Sequence, residues 1–518
     1  MKGSRLDWMI VAAVALVSVI AFALVAPGMG LNIDEGPYIE AGDLYAGWLV
    51  RFAGAIVRMD AQGVKDAVAA IPQYWTYNHE HPPLTKIVYG ITGRTFGGLL
   101  GTILAARVGA LFFLLVLQAS LYFLIAPAFG RFAGAAGALA ILSHPRLLAH
   151  GMMCEMDLPS AATVLLCTLL FVKGLERRRY AIFCGIAFGL ALATKINGFF
   201  IFFPLVLWGY IFHRRKFSEN FFWMSVLGPL TFVLTWPWLW SDTISRIIAF
   251  LQFQATHKFE PVYYMGSTYT AAPWHYPFVI LLAATPLVIL LFAAASLVRW
   301  REKPLDGNTI LLLFLFLYPL LVVMPESVPV YNQMRLFLLS PVMLCGLAGV
   351  GAAVILERLQ KLRLARGKAT ILAAGLGGLL IVPGFVGSAV THPYELSSYG
   401  AAVGFRTGAV SRGFGLLHWA QVEPAVVRWL NQEFPQGAFV DGGSGAATVL
   451  KHYQALGVLS KKFTFGAGGD YWVICTNHSY SGFPRWWFLY YGLDPEYRPF
   501  KTFAHDGFRY VVVYRKGR

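Results

Sequence analysis

The alternation of long apolar runs with short basic clusters limits this chain more than any other feature. The first run, Trp8 to Ala26, follows Lys2 and Arg5. Ten more lie near residues 100–126, 132–149, 158–172, 181–194, 198–212, 221–238, 276–298, 309–325, 336–356 and 369–390. About 20 apolar residues, rising ~1.5 Å each, cross a hydrocarbon core of roughly 30 Å. The first run exceeds the apolar core of a signal peptide, about 7–15 residues, and reads as an anchor. The clusters between runs are Lys173 with Arg177, Arg178 and Arg179; Arg214, Arg215 and Lys216; Arg299, Arg301 and Lys303; and Arg358, Lys361, Arg363, Arg366 and Lys368. With eleven spans, all four clusters share a side with Lys2, Arg5 and Arg131, and the positive-inside rule makes that side the cytoplasm. A count wrong by one would scatter them over both faces. The expectation is a multi-pass plasma (inner) membrane protein, with its N-terminus cytoplasmic and the tail after about residue 391 extracytoplasmic.

Composition agrees. Only 13% of the 518 residues are charged and 57% are hydrophobic, too little charge to coat soluble globules of this mass. The net charge of +16 would suit nucleic acid, but the topological clusters account for it, so no nucleic-acid partner is expected. Five cysteines without a CxxC spacing give neither a zinc ribbon nor a disulfide framework. There is no P-loop and no GxGxxG in a strand–turn–helix context.

The outer segments differ from simple connectors. In 39–58, Leu44, Trp48, Leu49, Phe52 and Ile56 recur every three or four residues, a stripe suited to an interfacial helix or to a short buried one. Segment 239–275 begins after the tryptophans of Trp236-Pro237-Trp238-Leu239-Trp240, which read as an interfacial aromatic belt. The tail alternates helix-like stretches (Val422–Phe434, Ala446–Leu456) with strand-like ones (Ala438–Asp441, Tyr471–Cys475, Tyr510–Tyr514), the pattern of a small α/β domain. The fold class is mainly α: a transmembrane domain over 1–390, with outer loop 27–99, and an extracytoplasmic domain over 391–518.

Ionisable groups at membrane depth are costly and mark function. On the outer side, near span ends, lie Asp34, Glu35, Glu80, Glu155 and Asp157. Beside them fall His79, His81, Lys86, His150, His257, Lys258 and Arg335. Anchoring does not need such a ring; binding an anionic lipid headgroup and moving a proton does. Lys195-Ile196-Asn197 lies at a tight outer turn, where its polar groups solvate the chain reversal.

These residues, with their flanking motifs, resemble the GT-C superfamily of polyprenyl-phosphate-sugar glycosyltransferases, in the branch of the protein O-mannosyltransferases and the lipid A aminoarabinose transferase. The resemblance is carried by Asp34-Glu35 after the first span, Glu80-His81-Pro82-Pro83-Leu84 before the second, and His144-Pro145 through Met156-Asp157-Leu158-Pro159 before the fourth. It continues through the tryptophan motif, Tyr264-Met265-Gly266, Pro273-Trp274-His275-Tyr276-Pro277, Arg335 with Pro341, and His392-Pro393-Tyr394. It implies a GT-C bundle and transfer of a sugar from a polyprenyl-phosphate donor in the bilayer to a hydroxyl on protein, lipid or glycan.

An alcohol needs a base to become a good nucleophile. Asp34 is the residue for that role, by position and by resemblance. Glu35, adjacent on a helix, points roughly 100° away. The resemblance gives Asp157 a supporting catalytic role, whereas its place before Pro159 equally suits a helix start; Glu155 stands beside it. Cations for the departing phosphate are His81, Lys86, His257, Lys258 and Arg335; Lys86 is equally read as an interface residue. No cofactor is required, although the resemblance implies a divalent-metal pair in Glu80 and His257. Two rivals remain at this level: a lipid or solute transporter, which calls for mid-bilayer charges and related halves, and a scaffold in which the tail does the work.

Overall fold

A computed structural model describes residues 3–517 apart from 215, 257–259, 303–305, 363–367, 418 and 477–496. Lys2, Arg215, Lys303, Arg363 and Arg366 of the basic clusters, and the candidate site residues His257 and Lys258, lie outside the described residues.

Helices occupy all eleven apolar runs. Among the described residues six are long and apolar enough to cross a bilayer alone: Arg5–Val25, Thr102–Phe129, Asp157–Gly174, Ile196–His213, Leu339–Lys361 and Ala369–Thr391. Two runs are broken pairs, Arg131–Ala140 with Pro145–Met152 bent by 75°, and Tyr276–Ala284 with Leu287–Arg299 bent by 111°. Each break precedes a proline, Pro145 or Pro286, whose ring pushes the preceding residue out of helical geometry; His144 and Thr285 are both extended. The remaining runs form Arg178–Thr194, Phe217–Leu234 and Gly307–Val323. Length and apolarity thus mark six to eight crossings where the sequence counts eleven, and the bends and short helices make the difference.

Leu339–Lys361 is the enclosed centre of the bundle, while Arg5–Val25 and Ala369–Thr391 turn most of their apolar surface outward. Helices approach closely where side chains vanish: a Cβ on Gly351 would lie 1.7 Å from the Phe292 carbonyl oxygen. All five cysteines are buried and free.

The stripe in 39–58 lies on the helix Glu35–Val57, but it faces protein more than membrane. Trp48 is fully buried, stacks on Phe52, meets Trp75 and Trp240 edge-on, and donates to the Ala67 carbonyl. The tryptophan belt is likewise overturned at Trp236, which is buried between Phe232 and Phe250.

The tail carries a five-stranded sheet in the spatial order Thr464–Gly466, Phe439–Asp441, Tyr471–Cys475, Phe508–Lys516, Tyr497–His505. The first three strands are parallel and the last two form an antiparallel hairpin. Helices Pro424–Glu433 and Gly445–Ala455 match the two helix-like stretches. The tail shares its core with the bundle. Its short strand Gln421–Val422 pairs antiparallel with Leu31–Asn32, and the Tyr453 hydroxyl accepts from the Leu31 N–H.

Candidate active site

That strand pair sets the position of Asp34. After Leu31–Asn32, the buried Asn32 side chain accepts from the backbone N–H groups of Asp34 and Glu35, at 2.9 and 3.0 Å, and so starts the helix Glu35–Val57. Asp34 is left at the helix head with a partly exposed carboxylate.

Asp157 reaches the same place from another helix. The Glu155 carboxylate accepts from the N–H of Leu158 at 2.7 Å and from that of Asp157, fixing the first turn of Asp157–Gly174. Arg335 arrives from a third element, a 3-10 turn that follows Asn332 and Gln333, both left-handed at φ 56° and 60°. Its guanidinium joins the two acids: Nη2 lies 2.6 Å from Asp34 Oδ2, and Nε lies 2.6 Å from Asp157 Oδ2. Lys195 closes on the other Asp157 oxygen. Trp419 lies under the guanidinium at 4.5 Å from its ring centroid, a cation–π contact that holds the fork flat.

Asp157, Lys195 and Arg335 line a small cavity of about 50 Å³, part of it open to solvent, together with the apolar or aromatic side chains of Phe200, Tyr318, Val322 and Phe337.

The other candidate residues divide. His81 lies beside this cluster, its ring 6.0 Å from that of the buried Tyr38, one turn along the helix from Asp34. Glu80 is half-buried next to it, accepting from Asn78 at 3.2 Å and lying 3.8 Å from His79. Glu35 points elsewhere. It is wholly buried and paired in two hydrogen bonds, at 2.7 and 2.8 Å, with Arg107, which also donates to the carbonyls of Ala26, Met29 and Gly30. Glu35 therefore locks the chain entering the site and stays out of the Asp34 cluster.

Lys86 is also turned inward. Its ammonium donates to the carbonyls of Asn78 and His81, at 2.6 and 2.7 Å, and to the Asn78 side chain, so it clamps the loop carrying Glu80 and His81. Burial pushes this amine down to about 7, with Glu80 opposing the shift. Glu155 is sealed beneath Asp157, 3.5 Å from His150, and burial, then the Asp157 charge, raises its carboxyl. Among the described residues no three His, Cys, Asp or Glu side chains converge in a metal-like group. His257, the other member of the pair the resemblance implies with Glu80, lies outside the described residues. Lys195, read from the sequence as solvating a turn, is brought into this cluster on Asp157. A lysine at an outer span end, against the positive-inside bias, was the available signal.

Residues 80–240, which include the Glu80-His81 loop, Asp157 and Lys195, match the family model described as dolichyl-phosphate-mannose-protein mannosyltransferase. No curated protein sequence matches the chain. Its fold does: the apo structure of ArnT from Cupriavidus metallidurans aligns over 99% of this chain and 98% of its own, with 15% identity and a TM-score of 0.54. The same enzyme bound to undecaprenyl phosphate aligns over 98% of both chains at 15% identity, TM-score 0.52. Archaeal oligosaccharyltransferase AglB from Archaeoglobus fulgidus, in complex with an inhibitory peptide and a dolichol-phosphate, aligns over 91% of this chain and 69% of its own, at 11% identity and TM-score 0.52. The chain thus shares the fold of these membrane transferases over nearly its whole length, and its residues 80–240 match a mannosyltransferase family model. It is similar to ArnT over nearly its whole length, and the transporter reading is not favoured.

Proposed function

We propose that the chain transfers a sugar from a polyprenyl-phosphate donor to a hydroxyl acceptor on the extracytoplasmic face, by single displacement with inversion. The observation that carries this reading is the shared guanidinium: Arg335 holds Asp34 and Asp157 in one cluster, and with Asp157 and Lys195 it lines a small cavity that also has apolar walls. The donor's hydrocarbon tail stays in lipid, and its phosphodiester meets Arg335 and Lys195. The acceptor oxygen attacks the anomeric carbon while the bond from that carbon to the phosphate oxygen breaks. The acceptor proton passes to Asp34, and the polyprenyl phosphate leaves carrying one more negative charge. Fixed cations beside that oxygen stabilise the charge as it forms. Asp157, held between Lys195 and Arg335, positions both cations. The tail after residue 391 lies on the same outer face, where it presses the Asp34 segment into place.

The test is Asp34→Asn in purified protein, given a panel of polyprenyl-phosphate sugars and a hydroxyl acceptor. Release of polyprenyl phosphate and glycosylated product should fall to background, with abundance and membrane insertion unchanged; transfer at the normal rate would remove Asp34 as the base. The metal pair is read separately. If Glu80 and His257 hold a divalent ion, EDTA lowers activity and zinc restores it.

A further inference from the structure

A half-open cavity of about 740 Å³ lies away from the acidic cluster, between the last span, the 111° bend and the segment after residue 397. It falls within the roughly 300–1,000 Å³ of most small-molecule clefts. One wall is a single face of the helix Ala369–Thr391: Val382, Val386 and Val390 recur every fourth residue, and each is more than half exposed. Leu287 and Phe405 add exposed apolar surface opposite.

The upper end is polar. Arg406 and Asp506 both line the cavity and form an ion pair, and Arg406 also donates to the Tyr510 hydroxyl at 2.7 Å. Arg406 is buried, whereas the Asp506 side chain is 45% exposed. The neighbouring His505 contacts the Val390 carbonyl oxygen at 2.7 Å, which fixes this pair at the outer end of the span. From Val382 to Thr391 the helix rises about 13 Å at ~1.5 Å per residue, close to half of a ~30 Å hydrocarbon core. The groove is therefore one leaflet tall, apolar along its length, and capped by one positive and one negative group.

We infer that this groove is a binding site for one outer-leaflet phospholipid whose headgroup carries a phosphodiester and a primary ammonium. The phosphodiester accepts from Arg406, the ammonium donates to Asp506, and the acyl chains lie along the valine face. Charge complementarity selects this occupant. A phosphomonoester, such as that of a polyprenyl phosphate, would bring two negative charges beside the Asp506 carboxylate with a single arginine to balance them. A choline headgroup has no N–H to give Asp506.

Full-length protein in nanodiscs, given a phosphatidylethanolamine with a photoreactive acyl chain, tests this. Label should map to peptides containing Val382 to Val390 and Phe405. Unlabelled phosphatidylethanolamine should compete, and phosphatidylglycerol, phosphatidylcholine and polyprenyl phosphate should not. Gly387→Phe fills the groove at a position where a Cβ meets only Pro145, at 3.8 Å, so the helix tolerates it. Label should fall at least fivefold in that variant and in Asp506→Asn. If Gly387→Phe folds poorly, Val386→Trp, at a lipid-facing site, gives the same reading. Undiminished label in the filled groove would overturn the site, and equal competition by any of the three other lipids would overturn the headgroup assignment.

Discussion

Replacing Arg335 with lysine keeps the positive charge and removes the fork. In the native chain Nε serves Asp157 and Nη2 serves Asp34, each at 2.6 Å, from neighbouring nitrogens of one planar group. An ammonium on a flexible stem is a point charge and cannot span both carboxylates. Lys195 already occupies the other Asp157 oxygen, so the lysine at 335 would settle on one acid and leave the other without its partner. One lost hydrogen bond to a charged group costs about 1.5–3 kcal/mol. Removing a fixed donor from a developing oxyanion typically lowers kcat by about 10²–10³. The two estimates overlap near a hundredfold, and that is the expected loss in kcat for Arg335→Lys. The assay is initial-rate release of polyprenyl phosphate from a saturating lipid-phosphate sugar, with a thermal melt of the same sample to establish folding. A variant that melts normally and turns over within threefold of the native rate would refute the claim that the guanidinium organises the site.

Two further predictions concern residues outside the chemistry. Glu35→Gln breaks a buried ion pair, a change that generally costs about 3–5 kcal/mol; abundance and Tm should drop, while the rate per folded molecule stays near native, as active-site titration would reveal. Burial holds the Glu423 carboxyl up at about 8, above its ordinary 4.5, so the folded state binds more protons than the unfolded one between those values. Stability contributed by the protonated form is full below about pH 4.5 and is lost as pH rises through about 8. Glu423→Gln should therefore raise Tm more at pH 8 than at pH 5, in paired melts across that range.

The bundle could be read from the chain because each apolar run is long and its polar ends are sharp. The two bends are also written there, in Pro145 and Pro286, but a hydropathy pattern averages across a proline and returns one continuous span. Asp34, Asp157 and Arg335 stood out as charges at the mouths of spans. Glu35 and Lys86 stood in equally suggestive places and proved to clamp backbone carbonyls or a buried arginine. Residue type and depth carry no information about which way a side chain turns, and the partners that decide it, Arg107 for Glu35 and the Asn78 carbonyl for Lys86, come from folding. The stripe through Trp48 left two readings open for a related reason: lipid and the interior of a small helical layer demand the same periodicity. Lys195 was overlooked because its partner Asp157 is far away along the chain and adjacent only once two helices pack.

The tie between Leu31 and Tyr453 joins residues 422 positions apart, and it closes immediately before Asp34. During synthesis, the segment holding the proposed base leaves the ribosome long before the tail that braces it. A nascent chain can thread its early helices into the bilayer with this aspartate still untethered. On the proposed function, catalytic competence arrives late, when the final stretch zips onto the first loop, and chains stalled or clipped before that moment would lack the brace beside Asp34.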